Sequence, residues 1–391
     1  MRSKFKVIFV ICATLLALSM LACGKPSVEQ DHLKQGDTYY EQKQWDQAIA
    51  EYNKAIELKP TTELKSKLAK AYNSRGDSYH QKEQWDLAIA DFNKAIELDP
   101  NLAEAYKNRG YFYFLVQEVL DLAIADFTKA IELDPNDAEI HSDRARAYFL
   151  KGQLDLALAG FNKAIEINPR LAAAYNNRGS IYLMQGKWDL AIADFTKAIE
   201  LNPNDAEIYS GRAYAYFSKG QTDLALADFN KAIEVNPKLA TAYYNRGYFY
   251  YLQRQWDLAI ADLNKAIELG YKDAAAYDFR GYAYAVKGEL DLAITDFSQA
   301  IKLNPNYTPA YANRGHAYLD KGQVDQAIAD LSKAIELEPD FDNAYRLRGT
   351  AYQLKKQNNL AIADFNKVIE LSDDPSMIEF AKQQIKGLGG K

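Results

Sequence analysis

The sequence has almost no cysteine, little histidine and only a small excess of acidic charge. Its 391 residues include two cysteines and four histidines, and the formal net charge is -6. Both cysteines, Cys12 and Cys23, lie close to the N-terminus, so the rest of the chain can form neither a disulfide framework nor a thiolate metal site. Nonspecific nucleic-acid binding needs clustered Lys and Arg, and mild acidity argues against it. We expect no nucleic-acid partner.

Residue patterns typical of catalysis are missing as well. The sequence contains no paired-histidine zinc spacing, no phosphate-binding glycine loop and no nucleophile motif. The many Asp and Glu residues recur with a regular period, which is more typical of a solvated face than of an acid-base pair. We therefore expect a protein that is not an enzyme, with no catalytic residues, no cofactor and no metal site.

The N-terminus combines three positive charges with an apolar run. Arg2, Lys4 and Lys6 precede an uncharged stretch over residues 7–22. This is the layout of an export signal, and the run is shorter than the roughly 20 residues that a membrane-spanning helix needs. The sequence therefore predicts a signal peptide over residues 1–22.

The end of this run, "MLACG", resembles the lipobox of bacterial lipoproteins. The resemblance implies cleavage before Cys23 and lipid attachment to its sulfur, followed by a short tether that completes residues 23–28. Because Gly24 is not the aspartate that implies inner-membrane retention, we expect a lipid anchor in the outer membrane or at the cell surface. Cleavage after Ser19, which would release a secreted or periplasmic soluble protein, and an uncleaved N-terminal anchor are the alternatives.

A repeated unit fills the rest of the chain. A small residue recurs with spacings of 40, 34, 35 and then 34 throughout, and further alanines follow it at fixed distances. These small anchors are Gly36, Gly76, Gly110, Ala145, Gly179, Ala213, Gly247, Gly281, Gly315 and Gly349. Apolar residues at helical spacing predict two helices per unit, with a turn between them. Neither helix can bury its apolar face alone, so the units must stack.

This pattern resembles the tetratricopeptide repeat (TPR). The resemblance implies an all-α fold: an α-α superhelix, or TPR solenoid, of about ten helix-turn-helix repeats over residues 29–374. Residues 375–391 follow as a capping helix and tail, opened by Asp374 and Pro375 and closed by Gly387. Proteins of this family bind segments of other proteins in a concave groove.

An arginine directly precedes the small anchor in repeats two to ten, and an acid recurs on the second helix of nearly every repeat. The arginines are Arg75, Arg109, Arg144, Arg178, Arg212, Arg246, Arg280, Arg314 and Arg348. Repeat one has no predecessor and carries Gln35 at this position. We predict that each arginine pairs with the acid of the preceding repeat and so fixes the register of stacking.

Two sets of residues are candidates for the groove surface. The first is a stripe of aromatic residues at helical spacing, namely Tyr244, Tyr248 and Tyr251, with equivalents Tyr111, Phe114, Phe149, Tyr214, Phe217 and Tyr282. The second is Asn108, Asn177, Asn245 and Asn313, two residues before the anchor. Exposed rings on such a face mark a binding site. The alternative is that the rings pack on adjacent helices.

The asparagines resemble the ladder that holds a peptide backbone in the O-linked N-acetylglucosamine transferases. Asp143, Gly211 and Phe279 interrupt this ladder, and no transferase domain follows. The sequence therefore predicts a noncatalytic scaffold or adaptor that binds a peptide or protein segment through these rings and asparagines and belongs to the cell envelope. A structural spacer and an accessory subunit of an envelope enzyme or assembly machine are the alternatives. The oligomeric state stays open.

Overall fold

The computed structural model describes residues 27–116 and 119–389, and these residues form helices without strands. The 21 helices are α1 Val28–Glu41, α2 Trp45–Leu58, α3 Thr62–Gln81, α4 Trp85–Leu98, α5 Ala103–Leu115, α6 Leu120–Leu133, α7 Ala138–Leu150, α8 Leu154–Ile167, α9 Ala172–Met184, α10 Trp188–Leu201, α11 Ala206–Ser218, α12 Thr222–Val235, α13 Ala240–Leu252, α14 Trp256–Glu268, α15 Ala274–Val286, α16 Leu290–Leu303, α17 Thr308–Asp320, α18 Val324–Leu337, α19 Asp342–Leu354, α20 Asn358–Leu371 and α21 Pro375–Gly387. The all-α TPR solenoid fold predicted from the repeats is confirmed.

The chain divides into two compact units, Met1–Gln185 and Gly186–Lys391. The described part of unit 1 contains α1 to α9, and unit 2 contains α10 to α21. Within each unit, first and second helices alternate along the chain, and every first helix packs against the second helix that follows it in that unit. Across the described residues, no helix combines the length and apolar character that crossing a membrane requires.

The small anchors let the two helices of a repeat approach closely. A Cβ added at Gly76 would lie 2.8 Å from the ring of Phe92, and one at Gly281 would lie 2.9 Å from the ring of Phe297. Both phenylalanine rings are fully buried. A larger side chain at either glycine would therefore push the second helix away, because helix packing leaves no free volume there.

A left-handed residue makes the turn between the two helices of a repeat. Gly288 takes this position with φ 80°, and Arg254 takes it with φ 56°. The backbone N–H of the next residue then reaches back into the first helix, as Glu289 N donates to Tyr284 O at 2.9 Å. Glycine is favoured at such a φ because it has no Cβ to clash with its own carbonyl.

Two departures from the regular period have a direct structural result. The extra residues of repeat two lengthen α3 to 20 residues, whereas the other first helices have 13 or 14. At the C-terminus, Asp374 caps α21 and accepts a hydrogen bond from Ser376 N. Ala381 and Ile385 are buried, while Lys382 is exposed. The helix therefore covers the last apolar face of unit 2 and turns its charges outward.

The predicted partner of the recurring arginines is wrong, because seven of them pair with the acid of their own repeat. Arg144, whose repeat has Gly160 in place of the acid, donates to Thr128 instead. In unit 2, the Nε and Nη2 atoms of Arg246 donate to the two carboxylate oxygens of Asp262 at 2.7 and 2.8 Å. Arg109 and Asp126 form the same pair in unit 1. The anchor glycine explains this choice: a Cβ at Gly247 would lie only 3.2 Å from Cβ of Asp262, so the acid faces the arginine across the close helix contact.

The third nitrogen of the guanidinium group supplies the link between repeats. Nη1 of Arg246 donates to Asn230 Oδ1 at 2.7 Å, on the second helix of the preceding repeat. The guanidinium carbon also lies 6.0 Å from the ring centre of Tyr243 and 5.9 Å from that of Tyr250, within the range of cation–π attraction. Arg246 thus closes its own helix pair and links it to the preceding repeat through a neutral amide. Arg212 and Arg314 make this link to the hydroxyls of Thr196 and Ser298, and Arg75 makes it to the carboxylate of Asp46.

Candidate functional site

Aromatic side chains cluster on the first helices of unit 2. We call this surface the aromatic face, and its members are Tyr244, Tyr248 and Tyr251 of α13, Tyr271 of the loop between α14 and α15, and Phe279 and Tyr282 of α15. The ring centres of Tyr244 and Tyr271 lie 4.4 Å apart, and Phe279 lies 4.8 Å from both Tyr248 and Tyr251. The rings therefore join two neighbouring repeats.

The rings of the aromatic face pack on one another and still reach solvent. Five of them are half-buried, and Tyr282 is 37% exposed. Burial raises the pKa of Tyr251 to about 12 and raises that of Tyr244 as well. The stripe therefore packs on the adjacent helix, as the alternative interpretation predicts, and also forms part of the surface, while its role in binding stays a prediction.

Sequence reasoning missed the centre of this cluster. Phe279 was assigned only as an interruption of the asparagine ladder, yet it contacts three tyrosine rings. Tyr271 stands where most repeats carry a proline. Both departures from the repeat pattern were visible in the sequence, and together they indicate that repeats seven and eight differ from the others in the same place.

A buried carboxyl group lies beside the aromatic face. Asp278 of α15 is 3% exposed, and its Oδ1 accepts a hydrogen bond of 2.9 Å from Nδ2 of Asn313 on α17. Burial raises the pKa of Asp278 to about 7, and the bond from Asn313 lowers it only in part. Burial is the main cause that raises the pKa of Tyr251 and Tyr307, and the negative charge of Asp278 adds to it.

The remaining candidates in unit 2 contact each other. Tyr214 packs edge-on against Phe229 at 5.5 Å, and its hydroxyl donates to Asn245 Oδ1 at 3.0 Å. Phe217 packs against Phe249 at 5.3 Å. These residues join repeats six and seven, so each ring and amide has a structural contact before any ligand binds.

In unit 1, the corresponding positions are polar and hydrogen-bonded. The hydroxyl of Tyr111 donates to Asp143, whose pKa is raised by burial. Asn108 Nδ2 donates to Asn73 Oδ1 at 3.0 Å, and Lys107 pairs with Asp137 at 3.1 Å. An open cavity of about 730 Å³ near α1 and α3 also has charges of both signs in its lining.

Three other candidates in unit 1 have different outcomes. The prediction that Phe114 lies exposed in a groove is wrong, because it is 7% exposed and packs in the core with Phe127. Phe149 is half-buried against the core around Phe161, and Asn177 is half-buried on α9. Cys23, the predicted lipid-attachment residue, lies outside the described residues, as does the predicted signal peptide.

Family models of the tetratricopeptide repeat match most of the chain. A model described as "TPR repeat" matches residues 36–81, 76–117, 145–186, 213–254, 281–322 and 315–356. Models described as "Tetratricopeptide repeat" match 103–137, 127–159, 172–205, 195–227, 240–269 and 343–375. The chain belongs to the tetratricopeptide repeat family, whose members bind other proteins or peptides and are generally noncatalytic scaffolds.

Solved structures of similar fold include PilF of Pseudomonas aeruginosa, with 18% identity over 54% of this chain and 97% of that chain, at a TM-score of 0.50. A TPR protein of Parabacteroides merdae has 25% identity over 65% of this chain and 99% of its own, at a TM-score of 0.47. YrrB, described as a TPR protein with an unusual peptide-binding site, has 28% identity over 48% of this chain and 97% of its own, at a TM-score of 0.43. No curated protein matches the sequence.

Proposed function

We propose that the protein is a noncatalytic adaptor that binds an extended or helical segment of another protein on the aromatic face of unit 2. The observation that carries this proposal is the cluster of six rings on two adjacent repeats, five half-buried and one, Tyr282, 37% exposed. Rigid aromatic surface of this kind supplies large contact area at low entropic cost and dominates the binding energy of many interfaces.

The asparagines add polar contacts to this proposal. Each side-chain amide makes one hydrogen bond to a neighbouring repeat: Asn245 Oδ1 accepts from Tyr214, and Asn313 Nδ2 donates to Asp278. A side-chain amide carries two donor hydrogens and an acceptor oxygen, so one such bond leaves capacity for a peptide backbone. The internal bond fixes the amide in one orientation, which lowers the entropic cost of binding.

We also propose that the adaptor is a lipoprotein of the bacterial cell envelope, attached through Cys23. The support is the lipobox-like sequence before this cysteine. Since α1 begins at Val28, a lipid on Cys23 would hold the first repeat close to the bilayer. Metabolic labelling with a radioactive fatty acid tests this: wild type should incorporate label and Cys23→Ser should not, whereas equal labelling would contradict the proposal.

One competing function is that of a structural spacer that binds no ligand. The rings of the aromatic face contact one another, and Tyr244 stacks on Tyr271 at 4.4 Å, as a purely structural cluster would. A spacer and an adaptor differ in whether a defined partner touches the face in the cell.

Site-specific photo-crosslinking distinguishes the two functions. A photoreactive amino acid at position 282 probes the aromatic face, and the same group at position 258 is the control, because Leu258 is an exposed apolar residue of a second helix. We expect a discrete crosslinked protein from position 282 alone, lost when Tyr248→Ala is added. Circular dichroism confirms that this variant is folded. Crosslinks that are equally diffuse at both positions would favour the spacer.

A further inference from the structure

Asp278 is buried without a positive charge to compensate it. It is 3% exposed, and Asn313, a neutral amide, is its hydrogen-bond donor in the described part of the chain. Removing a carboxylate from water without a cation is unfavourable, and proteins rarely keep such a group without a use for it.

The cations of the surrounding helices are already engaged. On α13, α15 and α17, the arginines Arg246, Arg280 and Arg314 each hold an aspartate of their own repeat at 2.6 to 2.8 Å. The other ionisable groups on these three helices, apart from tyrosines, are Asp278, His316 and Asp320. The surface beside the aromatic face thus has excess negative charge when His316 is neutral.

Packing does not require a carboxyl group at this position. In unit 1, Asn73 occupies the equivalent place, three residues before the anchor, and accepts from Asn108 at 3.0 Å. The pair of Asp278 and Asn313 has the same sequence separation of 35 residues and nearly the same length, 2.9 Å. A neutral amide therefore makes the same contact between repeats, and the negative charge of Asp278 is additional to it.

Within the described chain, the second carboxylate oxygen of Asp278 has no partner and keeps a small contact with solvent. Among the described residues, Oδ2 of Asp278 has no hydrogen bond. If this oxygen were also fully enclosed, it would be a buried atom without a partner, but in this part of the chain Oε1 of Gln185 is the one side-chain oxygen or nitrogen of that kind. Oδ2 is therefore not sealed from solvent. The ring centre of Phe279, the next residue, lies 4.8 Å from those of Tyr248 and Tyr251, so Asp278 lies beside the aromatic face, and its charge adds to the burial that raises the pKa of Tyr251.

We infer that Asp278 receives the side chain of a lysine or arginine carried by the protein segment that the aromatic face binds; this inference rests on the proposed function. The cation pairs with Oδ2, and the nearby tyrosine rings stabilise it through their negative faces. The apolar stem of the same side chain packs on the rings. The partner segment is therefore basic as well as apolar.

Selection from a library of displayed random 12-residue peptides tests this inference on the full-length protein in detergent. Peptides are kept when they bind wild type and lose binding to Tyr248→Ala, which defines dependence on the aromatic face. Asp278→Asn is the test variant, since it reproduces the arrangement of Asn73 and should fold. Asp320→Asn is the matched control, because it removes an exposed charge of the same surface.

We expect the face-dependent peptides to share a Lys or Arg at a fixed position. Replacing that residue by a neutral analogue, citrulline for Arg or norleucine for Lys, or replacing Asp278 by Asn, should weaken binding about 10-fold or more. The two changes together should weaken it little further. Asp320→Asn should change binding about 2-fold. Face-dependent peptides without a shared basic residue, or unchanged by Asp278→Asn, would overturn this inference alone. A library with no face-dependent peptide would contradict the proposed function too.

Discussion

In unit 1, helices α5 and α7 meet through hydrogen bonds: Tyr111 donates to Asp143 of α7, and Lys107 donates to Asp137, the N-cap of α7. In unit 2, helices α13 and α15 meet through packed aromatic rings instead. Behind both faces, the same kind of arginine–aspartate pair joins the two helices of a repeat, as Arg109 with Asp126 and Arg246 with Asp262 do. We call the arginine–aspartate pair and the helix contact that it closes the frame of the repeat. The comparison shows that the frame stays the same while the surface residues differ. The same helix-pair geometry can therefore carry a polar face in one unit and an aromatic face in the other.

The frame should respond equally in both units to loss of its acid. Asp126→Ala in unit 1 and Asp262→Ala in unit 2 each leave a largely buried arginine without its carboxylate, and we expect each to lower the free energy of unfolding by about 3 to 5 kcal/mol. Urea unfolding followed by circular dichroism measures this. Glu268→Ala is the control, because it removes an exposed ion pair and should cost less than about 1 kcal/mol. Unequal losses in the two units would show that the frame is not shared.

Replacing the buried acid Asp278 by an amide should remove a pH dependence of stability, and replacing the buried amide Asn73 by an acid should create one. The pKa of Asp278 is raised to about 7, so the native state keeps its proton to higher pH than the unfolded chain does. Its contribution to stability therefore falls as pH rises from about 4 to 7. Relative to wild type, we expect Asp278→Asn to gain a few kcal/mol at pH 8 and little at pH 4.

The reciprocal change in unit 1 is Asn73→Asp. It should lose stability at pH 8 and much less at pH 5, because Asn73 is also almost fully buried and its partner is also an asparagine. Thermal unfolding of the variants across this pH range measures both effects. A pH-independent difference from wild type in either variant would contradict the assignment of the buried charge.

Removing tyrosine hydroxyls should affect only the polar face. Tyr111→Phe leaves the buried carboxyl of Asp143 without its donor and should cost about 1 to 3 kcal/mol. Tyr248→Phe keeps a ring that has no hydrogen bond among the described residues, so it should change stability by less than about 0.5 kcal/mol. Urea midpoints compare the two variants directly. Equal losses would mean that the aromatic face also depends on hydroxyl contacts.

The smallest effects should come from the turns, which share one backbone conformation. Gly288→Ala places a Cβ at φ 80° and should cost about 1 kcal/mol, although no neighbouring atom blocks it. Arg254→Gly relieves the same strain and should gain about 0.5 kcal/mol or less, since glycine loses more entropy on folding. Differential scanning calorimetry resolves the two signs. A gain from Gly288→Ala would contradict the strain argument.

Periodicity predicted much of the fold because it acts through local rules. The spacing of small residues determined the helix pairs, the extra residues lengthened α3, and the proline after Asp374 opened α21. The candidate site was predicted less completely. The stripe of Tyr244, Tyr248 and Tyr251 was identified from its spacing, but Phe279 and Asp278 were not, because they depart from the repeat and their importance depends on which helix lies opposite.

By itself, then, the sequence determined the number of repeats, the two helices of each repeat and the small residues at the helix contacts, since each depends on spacing along one short segment. Tertiary structure decided which copy of a repeated residue makes a contact. A periodic chain offers Arg246 two aspartates at similar distances in sequence, Asp228 before it and Asp262 after it. Only the close approach at Gly247 selects Asp262, and only the packing of α15 beside α17 leaves Asp278 buried without a cation.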